Sequence, residues 1–190
     1  MKRTWAIVLA FLLVVGVLAS AQVLASILAT FFGGMVTIVA SDGTGTLWLY
    51  VNSNDTSRMN WAEIGVHPYL DAVDHPANLI ATNVKNDLEG DFFFMDCGKS
   101  TETITSVTVQ IYGTHATGKQ LEVFVWNSSS WTSLGAEAMP SSWGWVNYTA
   151  TTVLDTWAKI DAAKIYLKAS ATDTYNVDCA RLQVEYNATS

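Results

Sequence analysis

The sequence predicts an all-β domain, an antiparallel β-sandwich of the jelly-roll kind, preceded by one N-terminal hydrophobic helix. Three observations predict it. After Lys2 and Arg3 the next charged residue is Asp42, so positions 4 to 41 carry no charge. Beyond that block, short stretches alternate apolar and polar residues, the period-2 signature of half-buried strands. Turn residues separate these stretches, and no long helical periodicity lies between them.

The uncharged block comes first. Met1-Lys2-Arg3-Thr4 is a short positive n-region, and Trp5 to Phe32 is apolar or small apart from a few polar positions such as Gln22. As one helix, that run would rise about 42 Å, more than the roughly 30 Å hydrocarbon core requires. Lys2 and Arg3 stay on the cytoplasmic side in either reading, which places the C-terminal domain outside the membrane. Two readings stay open. Ala19-Ser20-Ala21 fits a signal-peptidase site, which makes residues 1–21 a signal peptide. The apolar run continues past it, which makes residues 1–34 an uncleaved signal-anchor helix. Gly33-Gly34 interrupts the run, and residues 35–46 read as a strand-like stretch (Met35 to Ala40) followed by a flexible hinge, Asp42-Gly43-Thr44-Gly45-Thr46.

The exported domain is assigned to residues 47–190. Leu47, Leu49 and Val51 alternate with Trp48 and Tyr50, ending at Asn52-Ser53-Asn54-Asp55. Val107, Val109 and Ile111 alternate with Ser106, Thr108 and Gln110. Leu121, Val123 and Val125 alternate with Glu122, Phe124 and Trp126. Ala180, Leu182, Val184 and Tyr186 alternate with Cys179, Arg181, Gln183 and Glu185. Shorter runs at residues 79–84, 91–95, 145–150 and 164–168 bring the total to about eight strands. Residues 152–163 have room for a helical turn or two.

The progression Val66-His67-Pro68-Tyr69-Leu70-Asp71, Asp91-Phe92-Phe93-Phe94, Ile104-Thr105-Ser106-Val107 and Val177-Asp178-Cys179-Ala180-Arg181-Leu182-Gln183-Val184 resembles exported jelly-roll modules. These are of the galactose-binding-like and carbohydrate-binding-module type. The resemblance is one of pattern over residues 66 to 186. It implies a β-sandwich with a binding or adhesive role, and it transfers no site residue.

Charge excludes some partners. From Asp42 onward there are 8 basic and 17 acidic residues without a basic cluster, a net of -9. Nucleic-acid affinity comes mostly from neutralising phosphates, so no nucleic acid is expected.

Cys97 and Cys179, each preceded by Asp, are an even pair in an exported chain, which permits one disulfide. Two buried thiols are the alternative. Four Asn-x-Ser/Thr triplets, at Asn54, Asn127, Asn147 and Asn187, are glycosylation candidates that a Ser/Thr/Asn-rich chain also produces by chance.

Tryptophan is the richest chemical signal. Trp126-Asn127-Ser128-Ser129-Ser130-Trp131 reads as a hairpin with an indole on each arm, and Trp143-Gly144-Trp145 puts two indoles on one side. Trp143, Trp145, Trp126 and Trp131 are therefore the candidate ligand-binding residues, with indole faces stacking on sugar rings. Cross-strand packing is the competing role. Asp71 and Asp74, beside His75, are weak candidates for a structural Ca²⁺, since no Asp-x-Asp-x-Asp-Gly series is present. His67, His75 and His115 lack zinc-site spacing. No nucleophile elbow, P-loop or dinucleotide-binding glycine pattern occurs, so no enzyme is expected.

Two functions follow as expectations. One is a membrane-tethered, extracytoplasmic binding or adhesion module for a glycan or surface protein. The alternative is a self-assembling subunit of a surface filament or coat, using the apolar segment 22–40 for assembly by strand addition.

Overall fold

The computed structural model describes residues 37–39, 44–64, 70, 72–73 and 79–187. The N-terminal helix, the 1–21 cleavage reading, Asp71, Asp74, His67 and His75 lie outside the described residues. Among the described residues no helix is long and apolar enough to cross a membrane.

The described chain is mostly antiparallel β. Its strands are β1 (Thr37–Val39), β2 (Thr44–Met59), β3 (Ala62–Ile64), β4 (Leu79–Thr82), β5 (Leu88–Phe94) and β6 (Thr103–His115). They continue with β7 (Gln120–Trp126), β8 (Trp131–Ala138), β9 (Gly144–Thr149), β10 (Lys164–Ala169) and β11 (Tyr175–Asn187), and α1 (Trp157–Asp161) precedes β10. Eight of them lie side by side in the order β9-β6-β11-β2-β5-β10-β7-β8. β8 and β9, successive in the chain, pack against each other, so the sheet is barrel-like and nearly closed.

β2 belongs to both halves of this sheet. Thr44 to Tyr50 pair with β11, and the strand then runs on along β5 from Val51 to Met59. The sequence reading ends this strand at Asn52. The polar residues beyond it form no terminating turn, because register shifts between Val51 and Ser53 and between Asn54 and Arg58 let them stay paired. Thr44, Gly45 and Thr46, read from sequence as the end of a hinge, lie within β2. They pair with β11 on one side, and Gly45 and Thr46 pair with β1 on the other. Gly45 is required there by close approach: a Cβ would run into the ring of Tyr186, its hydroxyl 2.6 Å away.

The core is the set of inward alternating residues. Leu47, Val107, Val109, Ile111, Leu121, Val123, Val125, Ile165, Leu167, Leu182 and Val184 are all fully buried. Burying one such side chain stabilises the fold by about 1.5–3 kcal/mol. α1 closes one end of the core with Trp157 and Ile160, its N-terminus capped by Thr156, whose side chain accepts from the Lys159 amide.

The expected disulfide is not formed: Cys97 and Cys179 are both buried and unbridged. Lys99, two residues after Cys97, lies 4.7 Å from the centre of the Tyr186 ring, near the C-terminal end of β11. Cys179 is paired with Tyr112 earlier on the same strand. Cys97 is instead tied to the end of α1, its amide donating to Asp161 Oδ1 at 2.8 Å.

Candidate functional site

Strand alternation puts one set of side chains into the core and the other on the outer surface, and register decides which outward residues meet. On the half formed by β2, β11, β6 and β9, the pairings align Tyr50, Arg181, Gln110 and Asn147 in one row across four strands. Arg181 donates from Nε to Gln110 Oε1 at 2.8 Å and from Nη1 to the Tyr50 hydroxyl at 2.9 Å. Its guanidinium carbon lies 4.0 Å from the ring centres of both Trp48 and Trp145, a cation held between two indoles.

The row continues into aromatic and amide groups. Tyr112 stacks on Trp143 with centroids 5.8 Å apart and an interplanar angle of 21°, and meets Trp145 at 5.1 Å. Gln110 Nε2 donates to Asn147 Oδ1 at 3.0 Å and to Gln183 Oε1 at 3.3 Å. Trp48, Tyr50, Tyr112, Trp143, Trp145 and Arg181 are all half-buried, with Asn147 exposed. The result is a run of flat apolar surfaces set among oriented amides, chemistry that suits the mixed apolar and hydroxyl surface of a sugar.

The four tryptophans read together from the sequence are divided by the fold. Trp143 and Trp145 are in this cluster, while Trp126 and Trp131 lie on the other half of the sheet. There Trp126 faces its register partner Trp131 at 5.6 Å, Trp131 meets Tyr166 edge-on at 4.8 Å, and Phe124 stacks on Tyr166 at 4.5 Å. The cations of this second cluster have carboxylate partners. Lys164 sits among the rings of Phe93, Trp126 and Trp131 and pairs with buried Asp91 at 2.9 Å, and Lys168 pairs with Glu122 at 3.1 Å.

Trp48, Tyr50, Tyr112, Gln110 and Arg181 are site residues that the sequence reading did not nominate. A signal for them exists: Trp48 and Tyr50 alternate with core leucines, and Arg181 alternates with Leu182 and Ala180. Each is therefore an outward residue on a strand whose other face is core.

Of the glycosylation candidates, Asn147 stands inside the aromatic face, so a glycan attached there would cover it. Asn127 turns its Oδ1 inward on its own loop, accepting from the Ser129 and Ser130 amides at 3.2 and 3.0 Å. Asn187 is the exposed last residue of β11, and Asn54 lies within β2.

One grouping of metal-ligand type occurs among the described residues: Asp96, Cys97 and Asp161, with ligand atoms within 4.8 Å of one another. Asp161 Oδ1 already accepts from the Cys97 amide at 2.8 Å and Asp96 Oδ1 from the Gly98 amide at 3.0 Å. Burial, reinforced by Asp161, pushes the Cys97 thiol up to about 12. The Asp161 bond to the Cys97 amide ties the loop after β5 to the end of α1. Beside it, a cavity of about 520 Å³ is lined by Lys99, Glu102, Trp157 and Asp161 among others. His115 is fully buried, with Nδ1 accepting from the Thr117 and Lys119 amides at 3.2 and 3.3 Å, an arrangement that organises the turn into β7. The chain matches no protein-family model and no curated protein.

Proposed function

We propose that the domain is an extracytoplasmic jelly-roll module of the galactose-binding-like type that binds a glycan on the outer face of β2, β11, β6 and β9. The observation that carries the proposal is the Arg181 guanidinium held between Trp48 and Trp145, with the Tyr112–Trp143 stack alongside. Rigid, half-exposed rings offer stacking surface at little entropic cost, and Gln110, Gln183 and Asn147 supply orienting polar groups. Strand order supports the jelly-roll part. Setting β1, β3 and β4 aside, the first, eighth, third and sixth strands are neighbours, as are the second, seventh, fourth and fifth. That is the order two nested Greek keys produce. The uncharged block at positions 4 to 41 supports a tether or export signal ahead of the domain.

The test is retention on a glycan array by the wild-type domain and by four variants. Trp143→Ala and Trp145→Ala should each lose retention, while Trp126→Ala and Trp131→Ala keep it. Binding that survives both substitutions in the first pair removes this face from consideration.

A second reading, a filament or coat subunit, is favoured by one observation: residues 37–39 pair antiparallel with Gly45 to Leu47 on the edge of β2. In an assembly, that edge would take the same segment from a neighbouring subunit. N-terminal mass analysis with sedimentation separates the two. A monomer with Met1 intact supports the tether, and a polymer beginning at Gln22 supports the filament.

A further inference from the structure

We propose that the glycan accepted by this face is an acidic one, a sugar acid whose carboxylate binds Arg181; the inference rests on the glycan reading above. Four described lysines have carboxylate partners: Lys99 with Glu102, Lys159 with Asp155, Lys164 with Asp91 and Lys168 with Glu122. Arg181 is held differently. Its hydrogen bonds go to a neutral amide, Gln110, and a neutral hydroxyl, Tyr50. The next outward position toward the C-terminal end of β11 is Gln183, also neutral. The first carboxylate along that line is Glu185, four residues or about 13 Å away, where it accepts from Gln183 at 3.2 Å. Among the described residues of this face, no carboxylate therefore pairs with the guanidinium.

Its setting also fixes its geometry. Trp48 and Trp145 hold the guanidinium from two sides, and Gln110 and Tyr50 fix its rotation, using two of its five N–H donors. Guanidinium is weakly hydrated and planar, and its fork of donors matches a carboxylate. A sugar acid would place its carboxylate on that fork and lay its ring over the adjoining Trp145, Tyr112 and Trp143 surface. The domain's net charge of -9 opposes any long polyanion at a distance, but charges separated by more than about 8–10 Å are largely screened at physiological ionic strength. The match is therefore to an isolated acidic residue, or a short run, rather than to a densely charged polymer.

The ligand side provides the cleanest test. Galacturonic, glucuronic and mannuronic acid oligosaccharides are titrated calorimetrically into wild-type protein, each beside its methyl ester and its neutral hexose counterpart. The expected result is that at least one free acid binds about tenfold or more tightly than its own ester, as a charged hydrogen bond predicts. Arg181→Gln should abolish that preference and Arg181→Lys should reduce it. The near-ultraviolet circular dichroism of each variant checks that the indoles keep their packing. Equal affinity for acid and ester, or binding of neutral sugars alone, overturns the acidic-ligand inference and leaves the glycan reading standing. Failure to bind any member of the panel overturns the inference, and a glycan array empty of neutral sugars as well then removes the glycan reading.

Discussion

The Tyr148 hydroxyl, on β9, donates a 2.7 Å hydrogen bond to the Leu121 carbonyl at the start of β7. Both residues are buried, so the bond crosses the core and ties one half of the wrapped sheet to the other. Tyr175 on β11 repeats the tie one residue earlier, donating to the Gln120 carbonyl at 2.9 Å. Burial holds the Tyr148 phenol well above its ordinary range, so it remains a donor at any ordinary pH. Tyr148→Phe keeps the ring and removes the donor. It should cost about 1 kcal/mol, read as a lower urea midpoint with an unchanged denaturant slope.

The two cysteines should behave as inert thiols. Cys97 is buried with its thiol pushed up to about 12, and the thiolate is the reactive form. Ellman's reagent at pH 8 should therefore find no thiol in the native domain and two per chain in guanidinium. Adding reductant should leave the melting temperature unchanged. Loss of both thiols from the unfolded, unreduced protein would mean that they are bonded after all.

Acid should act partly through Glu102. The Lys99 ammonium, bonded to it at 2.9 Å, together with backbone N–H groups, draws its carboxyl from 4.5 down to about 2. A carboxylate whose folded value is depressed contributes stability that is complete above about pH 4.5 and disappears as pH falls through about 2. Asp155 and Asp173 are shifted in the same direction, by Lys159 and by the Thr174 amide respectively. Urea midpoints measured between pH 6 and pH 2 should fall on acidification. They should fall less steeply in Glu102→Gln, which has nothing to protonate at that position.

The strands most legible in the sequence are those with one buried and one outward face. β7 alternates cleanly, as does β11 from Ala180 onward, and the reading from Val107, Leu121 and Ala180 places their core residues correctly. Cys179, read with the outward set, is fully buried beside the register shift at Val177. β8 is harder to see. It lies at one end of the strand order, and Trp131 to Ala138 carries no buried residue, so no apolar rhythm marks it. The second half of β2 is hidden for a related reason: Asn52-Ser53-Asn54-Asp55 has turn composition, but tertiary pairing with β5 keeps it extended.

The site was half legible. Trp143 and Trp145 follow from spacing within one segment. Their partners Trp48 and Arg181 come from the far ends of the domain, and only the β11 register with β2 and β6 brings them together. The same register separates Trp126 and Trp131 from them, which local spacing cannot reveal.

The passage of β2 through both halves of the sheet has a consequence for the order in which the molecule can be made. Tyr50 lies beside Arg181, 131 residues later in the chain, so the first long strand is completed by the last. Contacts at that separation form slowly because loop closure must precede them. Until β11 has been synthesised, Leu47 and Leu49 lack the neighbour that seals them. The domain therefore closes late and as a whole, and the aromatic face around Arg181 comes into existence only in that closing event.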